Sequence, residues 1–100
     1  MFFTVCALIA TSLPAAAQIN CNTDHRPVEV IICENDDLVR MDEQMVVLYY
    51  RIINDLGRAA ANELNQPRWL ARRNACGSPG CVRSAYNQRI AEFERKLGYR

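Results

Sequence analysis

Five cysteines in a chain of 100 residues constrain its fold more than any other feature. The first of them, Cys6, lies in an N-terminal segment, residues 1–17, that carries no charged side chain. The apolar run in this segment, about ten residues, is too short to cross a bilayer and is typical of a secretory signal. Ala15, Ala16 and Ala17 provide the small residues that signal peptidase requires. We therefore predict a signal peptide over residues 1–17, whose removal leaves four cysteines and no membrane-inserted segment.

The four remaining cysteines favour two disulfides, because small exported domains use disulfides to supplement a small hydrophobic core. They are Cys21, Cys33, Cys76 and Cys81. Three connectivities are open, and the spacings favour the local pairs Cys21–Cys33 and Cys76–Cys81. The loop-entropy model gives these pairs about 3 and about 2 kcal/mol. A four-thiolate zinc site is the alternative, but the chain lacks the paired Cys-x-x-Cys spacing for it. We expect no metal and no cofactor.

Apolar residues recur every three or four positions in the rest of the chain, which predicts helices and no strands. Pro27 suits the first turn of a short helix. Asn35 suits the N-cap of a long helix that ends at Gly57. The predicted buried face of this long helix comprises Leu38, Met41, Met45, Leu48, Ile52 and Leu56. A last helix is predicted between Ser78, a suitable N-cap, and Gly98. Its apolar residues again recur at steps of three and four, which predicts one buried face of Val82, Tyr86, Ile90, Phe93 and Leu97.

The third predicted helix contains a proline in its interior. Pro67 must kink this helix or restart it, with Asn65 as the new cap. Gly77 is predicted to end the helix in a left-handed conformation. The predicted fold class is therefore all-α, as a small disulfide-stapled bundle of three to four helices over residues 18–100.

Charge is unevenly distributed along the chain, although its net charge is only +1. Residues 18–57 contain eight acids and three bases, whereas residues 58–100 contain three acids and nine bases. One interpretation is that packed helices neutralise each other through salt bridges. The other is an acidic face at Glu34, Asp36 and Asp37 that meets a basic protein partner. The small net charge argues against nucleic-acid binding.

Candidate catalytic groups are sparse in the predicted mature chain. Asp42 lies beside the predicted buried face and requires a partner, for which Arg73 or Arg89 is expected. His25 is the one histidine, and disulfide-bonded cysteines supply no thiolate nucleophile. We therefore expect a binding protein rather than an enzyme.

Two segments resemble a known family. One runs from Cys21 to Pro27-Val28-Glu29-Val30-Ile31-Ile32-Cys33, and the other is Trp69-Leu70-Ala71-Arg72-Arg73-Asn74-Ala75-Cys76-Gly77, followed by Cys81 and Tyr86. Together they are similar to the N-terminal domain of the LprI-type lysozyme inhibitors, small secreted bacterial α-helical proteins. The chain departs from that family at Asn74, where Asp is common, and at Pro67.

The resemblance implies that the chain binds and occludes a lysozyme, with a c-type enzyme as the expected partner. C-type lysozymes are basic proteins with a carboxylate-lined cleft. The acidic face would therefore steer docking, while Arg72 or Arg83 reaches into that cleft. The expected compartment is the periplasm or the exterior of a bacterium. The alternative is an adaptor or structural module of the cell envelope that inhibits nothing.

Overall fold

The computed structural model describes residues 19–99, so the predicted signal peptide lies outside the described residues. The described chain forms five helical segments. They are α1 (Pro27–Cys33), α2 (Asp36–Leu56), α3 (Arg58–Glu63), α4 (Gln66–Asn74) and α5 (Pro79–Leu97). The predicted all-α, disulfide-stapled fold is confirmed, and the third predicted helix is present as the two segments α3 and α4.

The core lies mainly between α2 and α5, the two longest helices, which share the largest helix–helix contact. Their buried apolar residues recur at helical spacing, as predicted. These are Leu38, Met45, Leu48, Tyr49 and Ile52 on α2, and Val82, Tyr86, Ile90 and Phe93 on α5. Leu56 was predicted to be buried but is exposed, because it is the last residue of α2 and the chain turns away at Gly57.

The break between α3 and α4 is set by Asn65. Its backbone is left-handed, with φ 49°, and its side-chain oxygen accepts a hydrogen bond from the Arg68 backbone N–H at 3.3 Å. Pro67 follows in the first turn of α4, where the proline nitrogen needs no hydrogen-bond partner. The predicted restart of the helix at Asn65 and Pro67 is therefore confirmed.

The end of α4 differs from the prediction for Gly77. In residues 19–99 the glycines with positive φ are Gly57 and Gly98, so Gly77 is not left-handed. Instead, the N–H groups of Ala75 and Cys76 donate to carbonyls three residues back. This tighter last turn satisfies the terminal carbonyls without a left-handed residue.

Two disulfides connect the ends of these helices, with the predicted local pairing. The Cys21–Cys33 bridge ties the N-terminal arm to the last residue of α1, and the Cys76–Cys81 bridge spans the corner between α4 and α5. Disulfides persist in oxidising compartments, so the pairing indicates an exported protein. None of the helices in the described part of the chain combines the length and apolar character needed to cross a membrane.

The left-handed cap gives a test of the α3–α4 junction. Asn65→Ala should lower the free energy of unfolding by about 2 kcal/mol, because it loses both the cap and the tolerance of positive φ. Asn65→Gly should lower it by less than about 1 kcal/mol, because glycine keeps the backbone conformation. Urea denaturation followed by circular dichroism measures both values. Equal losses for the two variants would contradict a role for the left-handed conformation.

Candidate partner-binding surface

Asp42 forms the centre of a buried polar network. It lies on α2 and is 2% exposed. Its Oδ1 accepts a hydrogen bond from the Tyr86 hydroxyl at 2.9 Å, and its Oδ2 accepts one from the Ile19 backbone N–H at 3.0 Å. Burial raises the pKa of Asp42, whereas these two hydrogen bonds and the charge of Arg73 act to lower it. The network therefore binds both α5 and the N-terminal arm to α2.

Arg73 reaches Asp42 through Tyr86. Its Nη1 donates to the Tyr86 hydroxyl oxygen at 3.2 Å, and that hydroxyl donates to Asp42. Arg73 also donates to the Asn74 side-chain oxygen, from Nη2 at 2.7 Å and from Nε at 3.1 Å. The predicted partnership of Asp42 with an arginine is therefore indirect, because the tyrosine hydroxyl lies between the two charged groups.

Arg89, the other arginine considered for Asp42, holds the α3–α4 junction against α5. It is 4% exposed, and its Nε and Nη2 donate to Oε1 of Gln66 at 3.2 and 2.8 Å. Nη2 also donates to the Leu64 carbonyl oxygen, and Nη1 pairs with Glu92 at 3.0 Å. The guanidinium carbon lies 4.8 Å from the Phe93 ring centroid, a cation–π distance. Burial lowers the pKa of Arg89.

These buried groups are committed to internal contacts. Asp42, Arg73, Gln66 and Arg89 all have hydrogen-bond partners on other helices or on adjacent loops. Removing one partner of such a group would leave a buried polar atom unpaired, at a cost of about 1–3 kcal/mol. These buried groups are therefore not free to contact other molecules, and any recognition by charge must use the exposed charged residues around the network.

The predicted acidic face lies at the junction of α1 and α2. Glu34 and Asp36 are exposed, and Asp36 and Asp37 begin α2, where the helix dipole favours acids. Asp37 is about half exposed and pairs with Arg83 of α5, whose Nε lies 2.7 Å from the carboxylate. This hydrogen bond lowers the pKa of Asp37. The structure thus brings two of the candidate contact residues together as an ion pair.

The fifth candidate residue, Arg72, lies apart from this ion pair. It is exposed on α4 and lines a groove of about 250 Å³ together with Arg68 and the edge of Trp69. Sequence reasoning identified Arg72 but missed the groove. The spacing does predict that Arg68 and Arg72, four residues apart, share one face of a helix, but the other walls of the groove come from distant segments.

Two long-range contacts were not predicted. The contact of the Ile19 backbone with Asp42 spans 23 residues and carries no side-chain signature. The Glu63–Lys96 ion pair, at 2.8 Å, joins α3 to α5 across 33 residues. Within residues 19–99, no group of three His, Cys, Asp or Glu side chains is placed to hold a metal ion.

No family model, curated protein or solved structure matches the chain. Membership of the LprI-type inhibitors therefore stays a prediction from the sequence motifs.

Two buried tyrosine hydroxyls allow a matched test of the network. Tyr86→Phe should lower the free energy of unfolding by about 2 kcal/mol, because Asp42 and Arg73 each lose a hydrogen bond. Tyr50→Phe is the control, because the Tyr50 hydroxyl is buried with no partner among the described residues. Its removal should leave stability unchanged within about 0.5 kcal/mol or raise it. Equal destabilisation of the two variants in urea titrations at pH 7 would refute the bridging role of Tyr86.

Proposed function

We propose that this protein is a periplasmic or secreted inhibitor of c-type lysozyme that binds the enzyme and occludes its cleft. The observation that carries the proposal is the difference in burial between residues of the motif Trp69-Leu70-Ala71-Arg72-Arg73. Trp69 and Arg73 are buried and hold the fold, whereas Arg72 between them is exposed. This arrangement supports a rigid scaffold that presents the Arg72 guanidinium to a partner.

Arg72 is better suited than Arg83 to reach the carboxylates of a lysozyme cleft. Arg83 is engaged by Asp37, and a second carboxylate would have to compete with that ion pair. A guanidinium beside the catalytic acid would also lower the pKa of that acid, which must stay protonated for glycosidic cleavage. Contact by Arg72 would therefore weaken catalysis in addition to blocking access.

The acidic face supplies the long-range attraction in this proposal. Glu34 and Asp36 are exposed, and neither shares the Asp37–Arg83 ion pair. A basic enzyme would be attracted to this surface during diffusional encounter, which raises the association rate more than the final affinity. The disulfides and the signal-like N-terminal segment support an envelope location for this encounter.

The proposal is tested with protein purified from the periplasm of an expressing bacterium. It should slow cell-wall lysis by a c-type lysozyme at micromolar concentration or below. Arg72→Gln should weaken inhibition about tenfold, the equivalent of one charge-assisted hydrogen bond. Arg83→Gln should weaken it less, and Arg58→Gln, at another exposed arginine, should leave it unchanged. Full inhibition by the Arg72 variant would show that Arg72 does not contribute to binding the lysozyme.

An absence of inhibition and of binding across c-, g- and i-type lysozymes would contradict the proposed function as a whole. Recovery of a cell-envelope component with the same protein would then favour the adaptor alternative.

Electrostatic steering makes a separate prediction about rates. Asp36→Lys should slow association with lysozyme several-fold at low salt and have little effect at high salt, because exposed charges are screened. Asp55→Lys makes the same change of charge near the other end of α2, about 28 Å away, and should slow association less. Surface plasmon resonance at two salt concentrations measures the rates. Equal slowing by both variants would exclude a localised acidic face.

A further inference from the structure

The groove beside Arg72 is part of a larger concave surface between the α3–α4 junction and α5. It consists of two adjoining cavities, of about 250 and 430 Å³, that share Glu63, Leu64 and Arg89 in their walls. We call this surface the arginine groove. The other charged residues that line it are Arg68 and Arg72 on one side, and Glu92, Arg95 and Lys96 on the other.

The positive charge of the arginine groove is only partly neutralised. Its two acids already have partners, because Glu63 pairs with Lys96 at 2.8 Å and Glu92 pairs with Arg89 at 3.0 Å. None of the ion pairs Asp37–Arg83, Glu92–Arg89 and Glu63–Lys96 involves the three remaining bases. These are Arg68, Arg72 and Arg95. Five bases and two acids line the groove, so its described residues carry an excess of positive charge.

The arginines on the α4 side of the groove are also crowded. Arg68 and Arg72 lie one helical turn apart on α4, so their Cβ atoms are about 6 Å from each other. Arg72 lies close enough to Arg89 that its charge adds to burial in lowering the pKa of Arg89. Like charges held this close repel one another, and a bound anion would relieve that repulsion.

We propose that the arginine groove binds a small ligand through a carboxylate or phosphate group held between Arg68 and Arg72. Guanidinium groups bind both kinds of oxyanion in bidentate geometry. Arg89 lines the groove and keeps its N–H donors on Gln66, Leu64 and Glu92, so it shapes the groove and makes no direct contact with the ligand. The larger cavity, beside Arg95, accommodates the rest of the ligand. This inference does not depend on lysozyme inhibition.

The test is a titration of the ¹⁵N-labelled protein, at constant ionic strength, with inorganic phosphate and separately with succinate. At least one probe should give saturable shifts of backbone amides in residues 63–72 and 89–96. Comparison of the two probes assigns the preferred group as phosphate or carboxylate. Arg68→Gln/Arg72→Gln should raise the dissociation constant at least tenfold, and Arg95→Gln alone should raise it by less.

The matched control is Arg40→Gln/Arg58→Gln, which removes the same charge from exposed residues outside the groove. This variant should bind the probe within about twofold of the unmodified protein, since long-range charge is screened at moderate salt. If both double variants bound the probe equally weakly, net charge alone would explain the loss of affinity, and the proposed site would be wrong. Shifts that do not saturate with either probe, or that map outside the groove, would overturn it as well.

Discussion

One hydroxyl group, that of Tyr86, lies between two buried ionisable side chains and links three helices. Tyr86 donates to Asp42 and accepts from Arg73, so one side chain of α5 connects α2 with α4. Charges of opposite sign in a protein interior cost more in desolvation than they return unless their geometry and hydrogen bonding are nearly complete. Tyr86 satisfies both groups, because its hydroxyl donates a hydrogen bond to one and accepts a hydrogen bond from the other. The Ile19 backbone then occupies the second oxygen of Asp42 and brings the N-terminal arm into the same network.

This network separates the residues that maintain the fold from those that can meet a partner. Arginines dominate the basic part of the chain, and two of them, Arg73 and Arg89, are almost fully buried. Arg83 is neutralised by Asp37. A count of basic residues would treat all of these as surface charge. The structure leaves Arg72 as the member of its motif that is free to bind, a distinction that rests on burial and not on residue type.

Local features of the fold were predictable because they depend on neighbouring residues. Pro27, Asn65 and Ser78 were identified from helix-start preferences, and each lies at the start of a helix. The disulfides followed from short spacings. Predictions were less complete for contacts between segments that are far apart in the sequence. The Asp37–Arg83 pair spans 46 residues, and no sequence pattern distinguishes it from other choices of partner. Tyr86 was expected only as a core residue, because periodicity reports burial and carries no information about what a buried hydroxyl contacts.

The packing of α5 neutralises part of the uneven charge of the sequence, with opposite results at its two ends. Near its first turns, Arg83 neutralises one acid of the α1–α2 junction, which leaves Glu34 and Asp36 as exposed acids. Near its end, Glu63 pairs with Lys96 and Glu92 pairs with Arg89, and the remaining charge of the groove is positive. Ion pairing within α5 and between α5 and its neighbours therefore leaves an excess of negative charge at one place and of positive charge at another. A partner or ligand recognised by charge would meet two chemically opposite surfaces on one rigid bundle, and their contributions can be separated by mutation.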